Sequence, residues 1–184
     1  MTQKITGKIT KKVAQSLTAG DEVLYTGTMY TARDAAHKRL VALIDEGGEL
    51  PFDLQDAMIY YVGPSPTKPN QIIGSAGPTT SYRMDPYTPK LLDHGLTSMV
   101  GKGVRSPEVV ASIIEHGAVY FATIGGAAAL IARSVVTCEE ICYPDLGAES
   151  IKRLEVVDFP MTVVVDAKGN DLYKLSGDQS QISE

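Results

Sequence analysis

The side chains best suited to chemistry lie in one proline-rich stretch, Gly77-Pro-Thr-Thr-Ser-Tyr-Arg-Met-Asp-Pro-Tyr-Thr-Pro89. The stretch holds two neighbouring hydroxyls, Thr79 and Thr80, with the guanidinium of Arg83 and the carboxylate of Asp85. Its three prolines predict a stiff, non-helical path, because proline fixes its own φ and pushes the preceding residue towards extended geometry. A stiff path can hold a hydroxyl or guanidinium within about 0.5 Å of a productive position. The competing interpretation is a loop in which a threonine caps a turn and Arg83 pairs with Asp85.

Two further cations, Arg33 and Lys102, follow predicted strands. With Arg83 they gather positive charge at loop ends in a chain whose formal net charge is −5. Arginine grips a carboxylate with two parallel hydrogen bonds and lysine acts as a point charge. This set therefore predicts a small ligand with more than one negative group, such as a dicarboxylate. It leaves the reaction open, because no nucleophile with an adjacent base is evident. Surface or capping roles are expected for the three histidines, which fall on predicted helices or helix ends: His37, His94 and His116.

The elements that must position these side chains alternate between strands and helices, which predicts a mixed α/β domain. Strands are predicted at 23–31, 57–62, 71–75, 96–100 and 118–123, followed by a terminal hairpin from 154–157 and 161–166 with a turn at 167–170. Helices are predicted from about 34 to a stop at Gly47, at 90–93, from Pro107 to Gly117, and from 124 to about 133. Gly125 and Gly126 lack the spacing of a dinucleotide site or a P-loop, so a close approach to a ligand or neighbouring chain is expected of them.

Composition limits the class of protein. The 184 residues, with 43% hydrophobic and 21% charged side chains, suit one domain over 1–184, with a loose tail expected after about residue 176. The acidic balance argues against nucleic acid as a partner. No apolar run reaches the roughly 18 residues of a membrane span and no signal-peptide layout opens the chain, so a cytoplasmic location is expected. Cys138 and Cys142, spaced i, i+4, could share a helical face, but two ligands do not close a metal or cluster site, and small buried roles are expected.

The stretch 77–89 resembles the C-terminal domain, or separate small subunit, of class I fumarate hydratases and the related L-tartrate dehydratases. The resemblance extends over most of the chain in the family's order, and Tyr82 departs from it where a small residue is more usual before the arginine. Its supporting segments are Thr31-Ala-Arg-Asp-Ala-Ala-His-Lys-Arg39, Ile73-Gly-Ser-Ala-Gly-Pro-Thr-Thr80, Gly101-Lys-Gly103 and Ala122-Thr-Ile-Gly-Gly-Ala127.

The resemblance implies a swivelling β/β/α domain that closes over a [4Fe–4S] cluster held by three cysteines of a larger subunit. The fourth iron of such a cluster binds the substrate's hydroxyl and carboxylate. Thr79 would take a proton from the carbon next to a carboxylate, and Arg33, Thr80, Arg83 and Lys102 would bind the substrate. A threonine hydroxyl is a poor base at its free pKa, so the role of Thr79 depends on the resemblance.

The function predicted in this way is that of the small subunit of an iron–sulfur hydro-lyase that interconverts malate and fumarate. A cysteine-bearing large subunit is the expected partner, in a hetero-oligomer. Conversion of tartrate to oxaloacetate is the alternative reaction. Two non-catalytic alternatives are a module that only binds a dicarboxylate and a domain that only stabilises the large subunit.

Overall fold

Seven strands and six α-helices make up the computed structural model, which describes residues 2–123, 128–175 and 177. The strands are β1 (Thr2–Thr6), β2 (Glu22–Thr31), β3 (Met58–Tyr60), β4 (Ser98–Gly101), β5 (Val119–Thr123), β6 (Val135–Cys142) and β7 (Ile151–Val165). The α-helices are α1 (Lys11–Gln15), α2 (Asp34–Glu46), α3 (Thr88–Asp93), α4 (Pro107–His116), α5 (Ala128–Ser134) and α6 (Leu172–Leu175). Two 3₁₀ helices cover Ser81–Met84 and Pro144–Glu149. The predicted mixed α/β class is confirmed.

The strands form one sheet in the order β1-β2-β3-β4-β5-β7-β6, and an additional pairing between β2 and β7 closes five of them into a barrel-like core. Strands β1 to β5 run parallel, and β7 is antiparallel to β2, β5 and β6. The carboxyl ends of the parallel strands β2 to β5 therefore meet at one edge of the core, which is where loops of α/β folds usually bind ligands.

The short central strands β3, β4 and β5 are mostly apolar because both of their faces are buried. Met58 and Tyr60 of β3 belong to one apolar cluster, while Ile59 between them belongs to a second. The second cluster also contains Leu40 of α2 and Ile113 of α4, so it packs the sheet against helices. This arrangement fixes the strand ends that carry the loops.

Local signals at helix ends predicted two helices correctly. Helix α4 begins after Ser106, whose Oγ accepts the backbone N–H of Val109 at 3.2 Å, and it ends at Gly117, which has a φ of 64°. Helix α2 ends at Gly47, which has a φ of 70° and so adopts the left-handed conformation that glycine tolerates.

The predicted terminal hairpin is wrong in one respect. Residues 151–165 form the single strand β7, and Asp158, with a φ of 51°, makes a bulge in it instead of a turn. The two residues Val157 and Asp158 oppose Thr26 alone, whose Oγ1 accepts the Asp158 N–H at 3.1 Å. Strand β7 continues because it has partners on both sides. The turn at 167–170 is confirmed, since the Asp166 carboxylate accepts two backbone N–H groups there.

Three further predictions are corrected. Residues 71–75 are an irregular loop, in which the Ser75 carbonyl accepts the Ser65 N–H at 3.0 Å, although Ile73 is buried. Residues 81–84 are helical, because proline restricts only itself and its predecessor. Cys138 and Cys142 lie on strand β6 as half-buried free thiols, because pairing with β7 overrides the i, i+4 spacing.

The predictions for Gly125, Gly126 and most of the tail after 176 concern residues outside those described. Among the described residues, no helix combines the length and the apolar character that crossing a membrane requires.

Candidate functional site

The five residues predicted to act on a ligand lie together at the carboxyl edge of the parallel strands. Arg33 lies two residues after the end of β2 and is the N-cap residue of α2. The backbone N–H of Thr79 donates to the carbonyl of Tyr61, just after β3, at 2.7 Å. Thr80 forms an isolated parallel bridge with Lys102, which follows β4. The proline-rich stretch thus crosses the ends of β3 and β4 and brings its hydroxyls to the loops that carry the cations.

Each of the two arginines lies near one carboxylate. Arg83 Nε is 3.5 Å from Asp34 Oδ2, and Arg33 Nε is 3.7 Å from Glu149 Oε1. The alternative pairing of Arg83 with Asp85 is therefore wrong. Because Asp34 is the first residue of α2 and adjoins Arg33, both guanidinium groups are placed near the start of that helix.

The cations and hydroxyls remain open to a ligand. The side chains of Arg83 and Arg33 are 48% and 27% exposed, and Lys102 is exposed. Within the part of the chain that the structure describes, no hydrogen bond engages the hydroxyl of Thr79 or Thr80, and no ion pair engages Lys102. The arrangement suits two or more carboxylate groups bound across three cations, with a hydroxyl beside them.

A buried arginine, Arg105, supports this surface from below, and the sequence reasoning missed it. Its Nε donates to Asp85 Oδ1 at 2.7 Å and its Nη2 donates to Thr88 Oγ1 at 2.9 Å. Its guanidinium carbon lies 5.2 Å from the centre of the Tyr61 ring and 4.8 Å from that of Tyr120. Burial alone would lower the pKa of Arg105, but Tyr61, Asp85 and Tyr120 outweigh it and raise the pKa, so the side chain stays charged. Charged side chains are rarely buried, and no local pattern marked this one.

The Gly101-Lys-Gly103 segment is explained by close packing under the site. A Cβ on Gly101 would lie 2.0 Å from Ser81 Oγ, so only glycine fits there. Ser81 Oγ in turn lies 2.7 Å from the hydroxyl of Tyr120, which donates to the Gly103 carbonyl at 2.8 Å. These contacts join the 3₁₀ helix that carries Arg83 to the loop that carries Lys102.

His37 corrects another prediction, because it is fully buried instead of lying at the surface. Its Nδ1–H donates to the Arg33 carbonyl at 2.8 Å, and its Nε2 is buried without a hydrogen-bond partner among the described residues. Burial lowers the pKa of His37 to about 4, so the imidazole is neutral near pH 7. The other two histidines agree with the prediction, since His94 bonds the Lys90 carbonyl and His116 bonds Asp93.

The donor set does not suit a metal cluster. Arginine, lysine and threonine side chains surround the site, whereas clusters require thiolates. The two thiols lie on β6, which pairs only with β7 and contributes no strand end to the site. In residues 2–123, 128–175 and 177, no three His, Cys, Asp or Glu side chains are placed to hold a metal ion.

The fold and site define a class of α/β domain that gathers cations and hydroxyls at the carboxyl ends of parallel strands. The chain belongs to the fumarase C-terminus family, whose model matches residues 2–176. It is 46% identical over 151 residues to the anaerobic class I fumarate hydratase of Escherichia coli, covering 81% of this chain and 28% of that protein. It is 38% identical over 173 residues to the putative L(+)-tartrate dehydratase subunit beta of Methanocaldococcus jannaschii, covering 91% of this chain and 89% of that protein.

Fumarate hydratase 2 of Leishmania major is 41% identical over 169 residues, which cover 88% of this chain and 29% of that protein. The chain therefore spans less than a third of the fumarate hydratases that it matches. These matches show that the chain and the fumarate hydratases belong to one family, and they confirm the resemblance drawn from the sequence motifs.

Proposed function

We propose that this chain is the small subunit of a hydro-lyase of the class I fumarate hydratase type, which interconverts fumarate and malate. The observation that carries the proposal is the meeting of Arg33, Arg83, Lys102 and Thr79 at one edge of the core in a member of this family. The subunit role is supported by the relative named subunit beta, which this chain covers almost completely.

In the proposed reaction Thr79 moves the proton, and the three cations together bind the carboxylates. Dehydration of malate breaks a C–H bond next to a carboxylate and the C–O bond of the neighbouring hydroxyl. The proposed acceptor of the proton is the Thr79 oxygen as an alkoxide stabilised by the nearby cations, and the departing hydroxide together with this proton makes up the water that is released. The electron pair left on carbon moves towards that carboxylate, which gains negative charge before the hydroxyl leaves. Arg33, Arg83 and Lys102 would bind the two carboxylates and stabilise this extra charge, and preorganised cations in a closed site contribute several kcal/mol at that moment, on the order of 3 to 4.

The exposure of these cations supports the need for a partner. The side chain of Arg83 is about half exposed, and a site open to water weakens electrostatic stabilisation. We propose that a cysteine-bearing large subunit covers this edge. The [4Fe–4S] cluster of the family resemblance would have to be held by that subunit, because the described residues of this chain provide no ligand set.

Dehydration of L-tartrate to oxaloacetate is the second candidate. It is favoured by the relative named L(+)-tartrate dehydratase subunit beta, which is 38% identical to this chain. The two substrates differ by one hydroxyl, so a few polar contacts would decide between them.

The test is an anaerobic pull-down from native cells with a tag on this chain, followed by assays of the eluate for fumarate hydration and for tartrate dehydration. Thr79→Ala and Arg83→Ala should each lower activity by at least about a hundredfold. Arg153→Ala is the matched control, because Arg153 is similarly exposed at 43% and is ion-paired on β7 with Glu139. Recovery of the chain alone, or of an inactive complex, would contradict the proposal. Full activity of both Thr79→Ala and Arg83→Ala would indicate that this chain serves only to stabilise the large subunit.

A further inference from the structure

The two arginines of the site share an unusual feature: each faces its carboxylate through Nε. The distances are 3.7 Å from Arg33 Nε to Glu149 Oε1 and 3.5 Å from Arg83 Nε to Asp34 Oδ2. Both exceed the range of a hydrogen bond between N–H and oxygen. Each pair is thus a loose ion pair, and the two Nη groups of each guanidinium remain available to a second carboxylate.

Arg33 is also confined by backbone. A Cβ placed on Gly63 would lie 3.0 Å from both Cδ and Nη1 of Arg33, and 3.3 Å from the carbonyl oxygen of Ala148. Gly63 does not have a positive φ, so its backbone could accept another residue. A side chain at position 63 would make the Arg33 side chain shift by a few tenths of an ångström, so glycine leaves room for Arg33 beside the 3₁₀ helix Pro144–Glu149.

That 3₁₀ helix is itself fastened to α2. Arg39, in the second turn of α2, donates two hydrogen bonds to the Asp145 carboxylate at 3.0 and 2.6 Å. Its guanidinium also lies 4.8 Å from the centre of the Tyr143 ring. Glu149 therefore belongs to a segment that is docked onto the same helix whose N-cap residue is Arg33.

Ion pairs of this length with partly exposed side chains add little to folding stability, so stability does not account for both arrangements. Both ion pairs restrict the conformations of a long arginine side chain, Arg33 in one pair and Arg83 in the other. Arginine loses much conformational freedom when it binds a ligand, and a side chain that is already restricted loses less. A carboxylate near Nε can hold the guanidinium in place while the two Nη groups of that guanidinium bind a ligand.

We propose that Glu149, Asp34 and Gly63 are positioning residues for substrate binding: Glu149 and Gly63 hold Arg33, and Asp34 holds Arg83, with the Nη groups left free for substrate carboxylates. This inference rests on the proposed function. It differs from a model in which Glu149 and Asp34 compete with the substrate for the arginines, because removal of a competitor would lower KM.

The test measures kcat and KM for malate and fumarate in the assembled enzyme, purified without oxygen, for Glu149→Gln and Asp34→Asn. Each variant should raise KM about tenfold with a smaller change in kcat, because the charge that orients the arginine is lost while the shape is kept. Gly63→Ala should do the same by displacing Arg33. Asp45→Asn is the matched control, because this exposed carboxylate lies at the end of α2 opposite Asp34 and pairs with Lys90, and it should leave KM within about twofold of the wild type.

A double-variant cycle separates positioning from general structural damage. In an Arg33→Lys background, Glu149→Gln should raise KM by less than about twofold, because the side chain that it positions is gone. An unchanged or lowered KM in Glu149→Gln and Asp34→Asn would overturn the inference while leaving the proposed function intact. An equal effect of Asp45→Asn would also overturn it. A wild-type assembly that is inactive on malate, fumarate and tartrate would overturn both.

Discussion

Replacement of His37 by glutamine should change how the stability of the fold depends on pH. His37 is fully buried, and burial is the main cause that lowers its pKa to about 4, with Arg105 lowering it further and the Arg33 carbonyl and Asp34 raising it. In the unfolded chain the imidazole has its ordinary pKa of about 6.5. The unfolded state therefore binds a proton between these two values while the folded state does not.

These two pKa values set the sign and size of the change in the free energy of unfolding with pH. As pH falls below about 6.5, the free energy of unfolding decreases by up to about 1.4 kcal/mol per pH unit, and the decrease stops near pH 4, where the folded state also takes the proton. The stabilisation is fully present above about pH 6.5. Between about pH 7 and about pH 4.5, His37 alone should account for a loss of about 2.4 kcal/mol.

The assay is urea unfolding of wild type, His37→Gln and His37→Phe at several pH values across this window. Neither variant can titrate at position 37, so the free energy of unfolding of both should fall less steeply with acid than that of the wild type. The difference between wild type and variant isolates His37 from the carboxylates, which are shared. Parallel curves for all three proteins would show that the buried imidazole does not have a lowered pKa.

Three changes beneath the site should affect stability. Gly101→Ala places a methyl group against Ser81 Oγ at 2.0 Å and should cost about 1 to 3 kcal/mol, seen as a lower melting temperature; an unchanged melting temperature would refute the close approach. Asp85→Ala leaves the buried guanidinium of Arg105 without its partner and should cost about 3 to 5 kcal/mol in urea unfolding, and a loss below about 1 kcal/mol would contradict the ion pair. Tyr120→Phe removes a buried hydroxyl with two partners and should cost about 1 to 3 kcal/mol, and a neutral effect would argue against that network.

Sequence reasoning was reliable where the signal is local. Three elements were predicted in this way: the strand that ends before Arg33, the helix that follows it, and the capped helix after Ser106. Capping residues, glycine stops and apolar spacing identify such elements because they act within a few residues. The sequence-based predictions failed where pairing between strands decides the structure. Residues 71–75 have a strand-like composition, but within the described part of the chain they pair with no strand. Residues 151–165 form one continuous strand, although Asp158 within it is a residue type common in turns.

Candidate residues for meeting a small anion could be chosen from local order along the chain, because cations placed just after strands indicate a binding edge whatever the order of those strands. Arg33 and Lys102 follow this rule after β2 and β4. Thr79 and Arg83 follow a segment that is a loop, and they reach the same edge through the contacts of the proline-rich stretch with Tyr61 and Lys102. The folded arrangement sets which groups are buried beneath them and which carboxylate faces each arginine. Arg105 and Asp85 are 20 positions apart in the sequence, and Arg33 and Glu149 are separated by most of the chain. The pairing of β7 with β2 brings Glu149 to Arg33, and neither contact could be foreseen, because contacts between distant segments depend on the relative placement of whole elements.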